Sequence, residues 1–133
     1  MVVTAVGSAL LNVIAKSSVH RLRPVLEEPV YPAHWPSFPS AHAQAAVVGF
    51  ALLLLVFLPS LAGAWRPVAE TLAVLAVLAI GFSRIALGVH YVSDVAGGFV
   101  LGAAWVAAMT AAFNVVGINS QRRAEATSRE STS

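Results

Sequence analysis

The chain has 133 residues, 58% of them hydrophobic and only 11% charged, so it has room for one domain and not the composition of a soluble globular one. Its formal charge of +2 is too small and too scattered for a nucleic-acid footprint. It contains no cysteine, which excludes a disulfide framework and a zinc–thiolate site.

A mean hydropathy of +0.79 directs attention to apolar runs long enough to cross a bilayer. Val2–Ala15 is the first, helix-compatible, with Gly7 and Ser8 as small packing residues. At about 1.5 Å per residue it is short for a full crossing, and it reads as the end of a spanning helix or as the first helix of a truncated chain. It lacks the basic start and small-residue end of a cleavable signal peptide. Ser17–Ser40 carries Pro24, Pro29, Pro32, Pro36 and Pro39 and is incompatible with regular helix, so it is expected to be a long loop on one membrane face. Ser40 is a suitable N-cap for a second helix, Ala41–Leu58, which Pro59 stops. After a short turn to Arg66, Pro67–Phe82 predicts a third helix, antiparallel to the second and able to run past Arg84. Tyr91–Ile118 predicts the last, in which Gly98-x3-Gly102 lets helices approach closely. The stretch 119–133 is polar and reads as a disordered tail. The expected fold is therefore all-α, an integral-membrane bundle of about four spanning helices over residues 1–118, with site loops at 16–42 and 83–94.

Alternation of the helices puts those two loops on one face. Arg66, Arg122, Arg123 and Arg129 lie on the other and mark it as cytoplasmic by the excess of positive charge inside. The motif face is then expected on the extracytoplasmic side of a plasma membrane of bacterial type.

Three short motifs sit at the ends of these apolar segments: Lys16-x6-Arg23-Pro24, Pro39-Ser40-Ala41-His42 and Ser83-Arg84-x5-His90-x3-Asp94. Ionisable groups near a membrane core are costly, so function is the default reading. Lys16, Arg23 and Arg84 can oppose the charge of about −1.5 to −2 on a phosphate monoester. Arg offers a planar fork of donors and Lys a point charge. The Ser40 hydroxyl and the N–H groups opening the second helix add further donors. His90 and Asp94 are four apart and share a helical face if Tyr91 opens the last helix. Asp94 can then hold the Nδ1 proton of His90 and leave Nε2 free to attack phosphorus. His42, on the other loop, suits an acid that protonates the leaving oxygen and then a base that activates water.

The three motifs resemble those of the type 2 phosphatidic acid phosphatase family, related to the vanadium haloperoxidases, whose pattern is K-x6-R-P, P-S-G-H and S-R-x5-H-x3-D. About ten fixed positions agree, and at roughly one in twenty each coincidence is negligible. The resemblance runs from Lys16 to Asp94 and, through the helical frame, to about Ile118. It implies a helical bundle and metal-independent cleavage of a phosphomonoester or diphosphate, with no cofactor. Residue by residue it implies a phosphate clamp of Lys16, Arg23 and Arg84, with Ser40 and Ala41 binding phosphate. His42 becomes the general acid, His90 the nucleophile and Asp94 its partner. The expected substrate is a lipid phosphate in a membrane, and no nucleic acid; oligomeric state is left open.

Two departures bear on this. Ala41 replaces a glycine, which costs roughly 1 kcal/mol or more if the position requires positive φ or very close backbone approach, whereas alanine serves if only a small residue and a free N–H are needed. Membrane members of the family have six spanning helices, so this chain is expected to be a partial version. Competing readings are a lipid phosphotransferase that passes the phosphoryl group to an alcohol, and an inactive membrane fragment with a structural role. A metal site built from His42, His90 and Asp94 with Glu27 or Glu28 is opposed by three nearby cations. A serine nucleophile at Ser40 lacks the G-x-S-x-G turn.

Overall fold

The structure, a computed structural model, describes residues 1–24 and 36–130, with side chains over 1–24 and 36–116. Its elements follow in the order α1 (Val2–Val19), α2 (Ala41–Phe57), two single 3-10 turns (Leu58–Ser60 and Gly63–Trp65), α3 (Arg66–Ala86) and α4 (Val92–Glu130). Among the described residues, four segments are long and apolar enough to cross a membrane: Val2–Val19, Ala41–Ser60, Gly63–Ala86 and Val92–Val116. The fold is the expected all-α membrane bundle, with α2 packed against all three other helices and most extensively against α4.

α1 is longer than its apolar run suggests. It continues to Val19, about 27 Å in all, and carries Lys16 inside its last turn. It ends at His20, which adopts the left-handed region (φ 48°) while its N–H donates to the Lys16 carbonyl at 3.2 Å. The buried face of α1 is polar: Thr4, Ser8, Asn12 and Lys16 recur every fourth residue, while Val6, Leu10, Val13 and Ile14 point outward. That inversion suits a helix whose outer surroundings are lipid.

The partner of this polar stripe is Gln44 of α2, 1% exposed. Its Oε1 accepts Asn12 Nδ2–H at 2.6 Å, and its Nε2 donates to the Ser8 carbonyl and hydroxyl, both at 2.8 Å. Every polar atom of the Gln44 side chain is therefore bonded, which is what makes its burial tolerable. Trp105 of α4 closes the same side by donating its indole N–H to the Thr4 carbonyl at 2.7 Å.

The small-x3-small pattern in α4 does what its spacing predicts. A Cβ added at Gly98 would lie 2.5 Å from the Ser40 carbonyl oxygen, and one at Gly102 would lie 3.0 Å from the Gln44 carbonyl oxygen. Hydrogen atoms there let α4 lie directly on the α2 backbone. The backbone of α4 stays helical through 119–130, the stretch whose composition suggests a tail. That stretch has no glycine or proline and contains the run of helix formers Gln121, Arg122, Arg123 and Ala124.

Candidate active site

The long spacers of the third motif have a backbone cause. After α3, the Gly88 N–H donates to Ile85 O at 2.8 Å and the Val89 N–H to Arg84 O at 3.3 Å, with Gly88 left-handed at φ 65°. These are the two bonds of a Schellman reversal. It fixes five residues between Arg84, in the last turn of α3, and His90, just beyond the reversal. Tyr91 then caps α4, its carbonyl accepting from Asp94 N and Val95 N at 3.0 and 3.3 Å. Asp94 is the third residue of α4, and its Oδ2 reaches back to accept the Tyr91 N–H at 2.9 Å. That is one half of a capping box. The x3 spacer between His90 and Asp94 is thus the length of one capped helical turn.

His90 and Asp94 come together as expected, His90 5% and Asp94 0% exposed. The His90 Nδ1 lies 3.4 Å from Asp94 Oδ2 and, among the described residues, makes no hydrogen bond. Burial and the Arg23 guanidinium pull the His90 imidazole below its ordinary range, and Asp94 opposes them.

The second motif is joined to the third through the backbone. Ser40, fully buried, caps α2 by accepting the Ala43 N–H at 3.5 Å, and its own N–H donates to the Asp94 carbonyl at 2.9 Å. Accepting with its oxygen keeps the Ser40 hydroxyl proton available as a donor. Ala41 opens α2 with negative φ, since His20 is the one non-glycine residue with positive φ among the described residues. The backbone angle at this position therefore does not demand glycine.

The cations of the first motif arrive at the same end of the bundle. Lys16 Nζ donates to the Pro36 carbonyl at 2.6 Å and Arg23 Nη1 to the Val89 carbonyl at 2.8 Å. Arg84 Nε is 3.1 Å from the Ser83 hydroxyl. His42, on the first turn of α2, faces the charges of Arg84, Arg23 and Lys16 together. His90 faces the charges of Arg23 and Lys16, with Asp94 opposing them. All eight residues singled out by the motifs thus belong to one cluster or its direct backbone supports. Among the described residues, no group of three or more His, Asp or Glu side chains is placed to hold a metal ion. Glu27 and Glu28, invoked for such a site, lie outside the described residues.

Two residues outside the fixed motif positions hold Asp94. Arg21 Nη1 donates to Asp94 Oδ1 at 3.1 Å and to Ser93 Oγ at 2.6 Å, and the guanidinium lies 4.4 Å from the centre of the Tyr91 ring. Ser37, fully buried, donates its hydroxyl to Asp94 Oδ2. Arg21 sits in a spacer, and Ser37 sits in a segment that reads as open loop. The single advance signal was that Arg21 is a third cation in the short stretch from Lys16 to Arg23.

Comparison with known proteins agrees with this frame. The family model of the PAP2 superfamily matches residues 1–117. Phosphatidylglycerophosphatase B of Bacillus subtilis is 41% identical over 96 residues, covering 70% of this chain and 46% of that protein. The crystal structure of a transmembrane PAP2-type phosphatidylglycerolphosphate phosphatase from Bacillus subtilis superposes with a TM-score of 0.70 at 31% identity. The match covers 90% of this chain and 57% of that one, so the chain spans about half the length of the relatives it matches. With a family match over all four spanning segments and the three motifs, the chain belongs to the PAP2 superfamily.

Proposed function

We propose that this chain is a lipid-phosphate phosphatase that cleaves a phosphomonoester or diphosphate through a phosphohistidine, without a metal ion. The observation that carries the reading is the convergence of Lys16, Arg23 and Arg84 on His42, beside the buried His90–Asp94 pair. Phosphoryl transfer requires positioning and charge stabilisation more than covalent chemistry. Lys16, Arg23, Arg84, the Ser40 hydroxyl and the N–H groups at Ala41 supply both.

In this reading the neutral Nε2 of His90 attacks phosphorus and the P–O bond to the lipid breaks. His42 gives its proton to the departing oxygen. His42, now neutral, takes a proton from water as that water attacks the phosphohistidine. The P–N bond then breaks, inorganic phosphate leaves, and both histidines return to their starting states. Phosphate release from a lipid phosphate is expected to persist in EDTA and to stop with vanadate, which adopts the trigonal-bipyramidal shape of the transferring group. Loss in chelator with recovery on adding a divalent ion defeats the metal-independent mechanism. Absence of release under every condition favours the structural role.

The lipid tail has a place to lie. A cavity of about 480 Å³ opens between α1 and α2, lined by Lys16 and Ala41 at the site and by Ala45, Val48, Gly49 and Leu52 deeper along α2. A Cβ at Gly49 meets nothing within 4 Å, so a larger side chain fits there by filling the groove. Gly49→Leu is expected to raise KM for a long-chain lipid phosphate by roughly 10-fold or more, since each displaced methylene is worth about 0.8 kcal/mol. A short-chain, water-soluble phosphate should be hydrolysed as before. Equal effects on both substrates place the tail elsewhere.

The proposed site faces away from the cytoplasm. Leu22, 85% exposed beside the site, and Ala64, exposed at the opposite end, can each be replaced by cysteine in this cysteine-free chain. A membrane-impermeant thiol reagent on intact cells is expected to label position 22 and spare position 64. The reverse pattern turns the site to the cytoplasmic leaflet.

A further inference from the structure

Asp94 is enclosed by a ring of hydrogen bonds that the three motifs do not describe. Its Oδ1 accepts from Arg21 Nη1, its Oδ2 accepts from the Ser37 hydroxyl, and the Ser37 backbone N–H donates to the Arg21 carbonyl at 2.8 Å. The ring closes through both backbones, so the segments on either side of residues 25–35 are fastened to one carboxylate at the start of α4. Arg21 is held in turn by Ser93 Oγ and by the face of Tyr91.

A carboxylate on the first turn of a helix can rotate about its last torsion, and only some orientations present an oxygen to the imidazole. Here Arg21 takes Oδ1, and Oδ2 is left toward Tyr91 N, Ser37 and His90 Nδ1. Arg21 also places a positive charge on the far side of Asp94 from His90. We propose that Arg21 and Ser37 are positioning residues for the reaction, acting through Asp94: the ring directs Oδ2 at His90, and the Arg21 charge offsets the carboxylate that the imidazole faces. This rests on the phosphatase reading for its kinetic consequences but not for its geometry.

The two residues then differ in what their removal does. His90 faces Asp94 from α4, Lys16 from α1 and Arg23 from the segment after α1. His42 at the start of α2 faces Lys16, Arg23 and Arg84. None of these changes in Arg21→Gln, which removes the cation that offsets Asp94. The uncompensated carboxylate raises the proton affinity of His90, so the neutral nucleophile appears only at higher pH. The acid limb of kcat/KM is expected to move up, and kcat to fall roughly 10–100-fold, by analogy with the loss of a partner that orients a metal-bound histidine. KM for the lipid phosphate should stay within about twofold, because Arg21 is engaged with Asp94 and not assigned to the phosphate. Arg21→Lys keeps the charge and is expected to recover most of kcat and the original limb. Ser37→Ala removes one bond and no charge, so kcat should fall by about 10-fold or less with the limb unmoved.

A second readout needs no turnover. NMR of nitrogen-labelled histidine in the purified full chain gives the titration midpoint of His90, which should rise in Arg21→Gln and return in Arg21→Lys. A moved midpoint in a chain that releases no phosphate supports the ring and defeats the phosphatase reading. An active chain whose midpoint and acid limb are unchanged in Arg21→Gln overturns the proposal. So does a loss confined to KM, which makes Arg21 a fourth member of the clamp. If Arg21→Gln does not fold, the pair Arg21→Lys and Ser37→Ala decides: a limb that moves in the serine variant and not in the lysine variant overturns the assignment of charge to Arg21.

Discussion

His90→Ala is expected to abolish phosphate release together with any acid-labile phosphorylation of the chain. The alanine removes the atom that would carry the phosphoryl group. His42→Ala should behave differently, slowing turnover by roughly 10²–10⁴-fold. That loss should shrink for substrates whose leaving oxygen departs without a proton. The pH profile adds a sign. The reactive form of His90 is neutral, and burial with Arg23 holds its proton affinity below the ordinary range. The acid limb of kcat/KM should therefore lie below the usual histidine value of about 6.5. Rapid quenching in base followed by acid treatment detects the phosphohistidine. An acid-stable adduct, or equal losses in the two variants across all leaving groups, contradicts the assigned roles.

How far such a site can be read before folding depends on whether its determinants are local. Four apolar runs and two proline boundaries place the helices. The spacing of Arg84, His90 and Asp94 was readable because a Schellman reversal and a capped turn have fixed lengths. Ser40 was legible as a cap for the same reason. The Thr4, Ser8, Asn12 and Lys16 stripe was equally local, a polar residue every fourth position in an apolar helix, and its reading needed only the inversion of inside and outside that lipid imposes. Gln44 was not legible, since a lone amide near a helix start has many uses until α1 supplies its partners. Arg21 and Ser37 were hidden for a stronger reason. Their contacts with Asp94 span 73 and 57 residues, and no pattern within either segment announces a partner that far away. The Ala41 question was a matter of backbone angle, which composition does not determine.

Asp94→Asn is expected to lower kcat by something like 10³–10⁴-fold while the chain stays folded. The amide has the shape of the carboxylate and leaves the Ser40 N–H on the unchanged Asp94 backbone carbonyl, and with its oxygen in the Oδ2 place it still accepts the Tyr91 N–H that caps α4. What it loses is charge and acceptor capacity. The carboxylate now accepts from Arg21 at Oδ1 and from Ser37 and Tyr91 N at Oδ2, with His90 Nδ1 3.4 Å from Oδ2. An amide has one oxygen for these donors, and its NH₂ must face another donor, either the Arg21 guanidinium or the His90 side. If it faces His90, the imidazole is driven to the tautomer that protonates Nε2, and the nucleophilic lone pair is lost. If it faces Arg21, the guanidinium is left beside an amide with no anion, and the ring with Ser37 opens. Either orientation removes the charge that raises the proton affinity of His90. The residual acid limb should therefore move to lower pH, opposite in direction to Arg21→Gln. Thermal unfolding in detergent separates this from simple loss of the fold, since a retained cap keeps the midpoint within a few degrees. An Asp94→Asn chain that keeps its melting behaviour and most of its turnover would remove Asp94 from the chemistry and leave it as a helix cap alone.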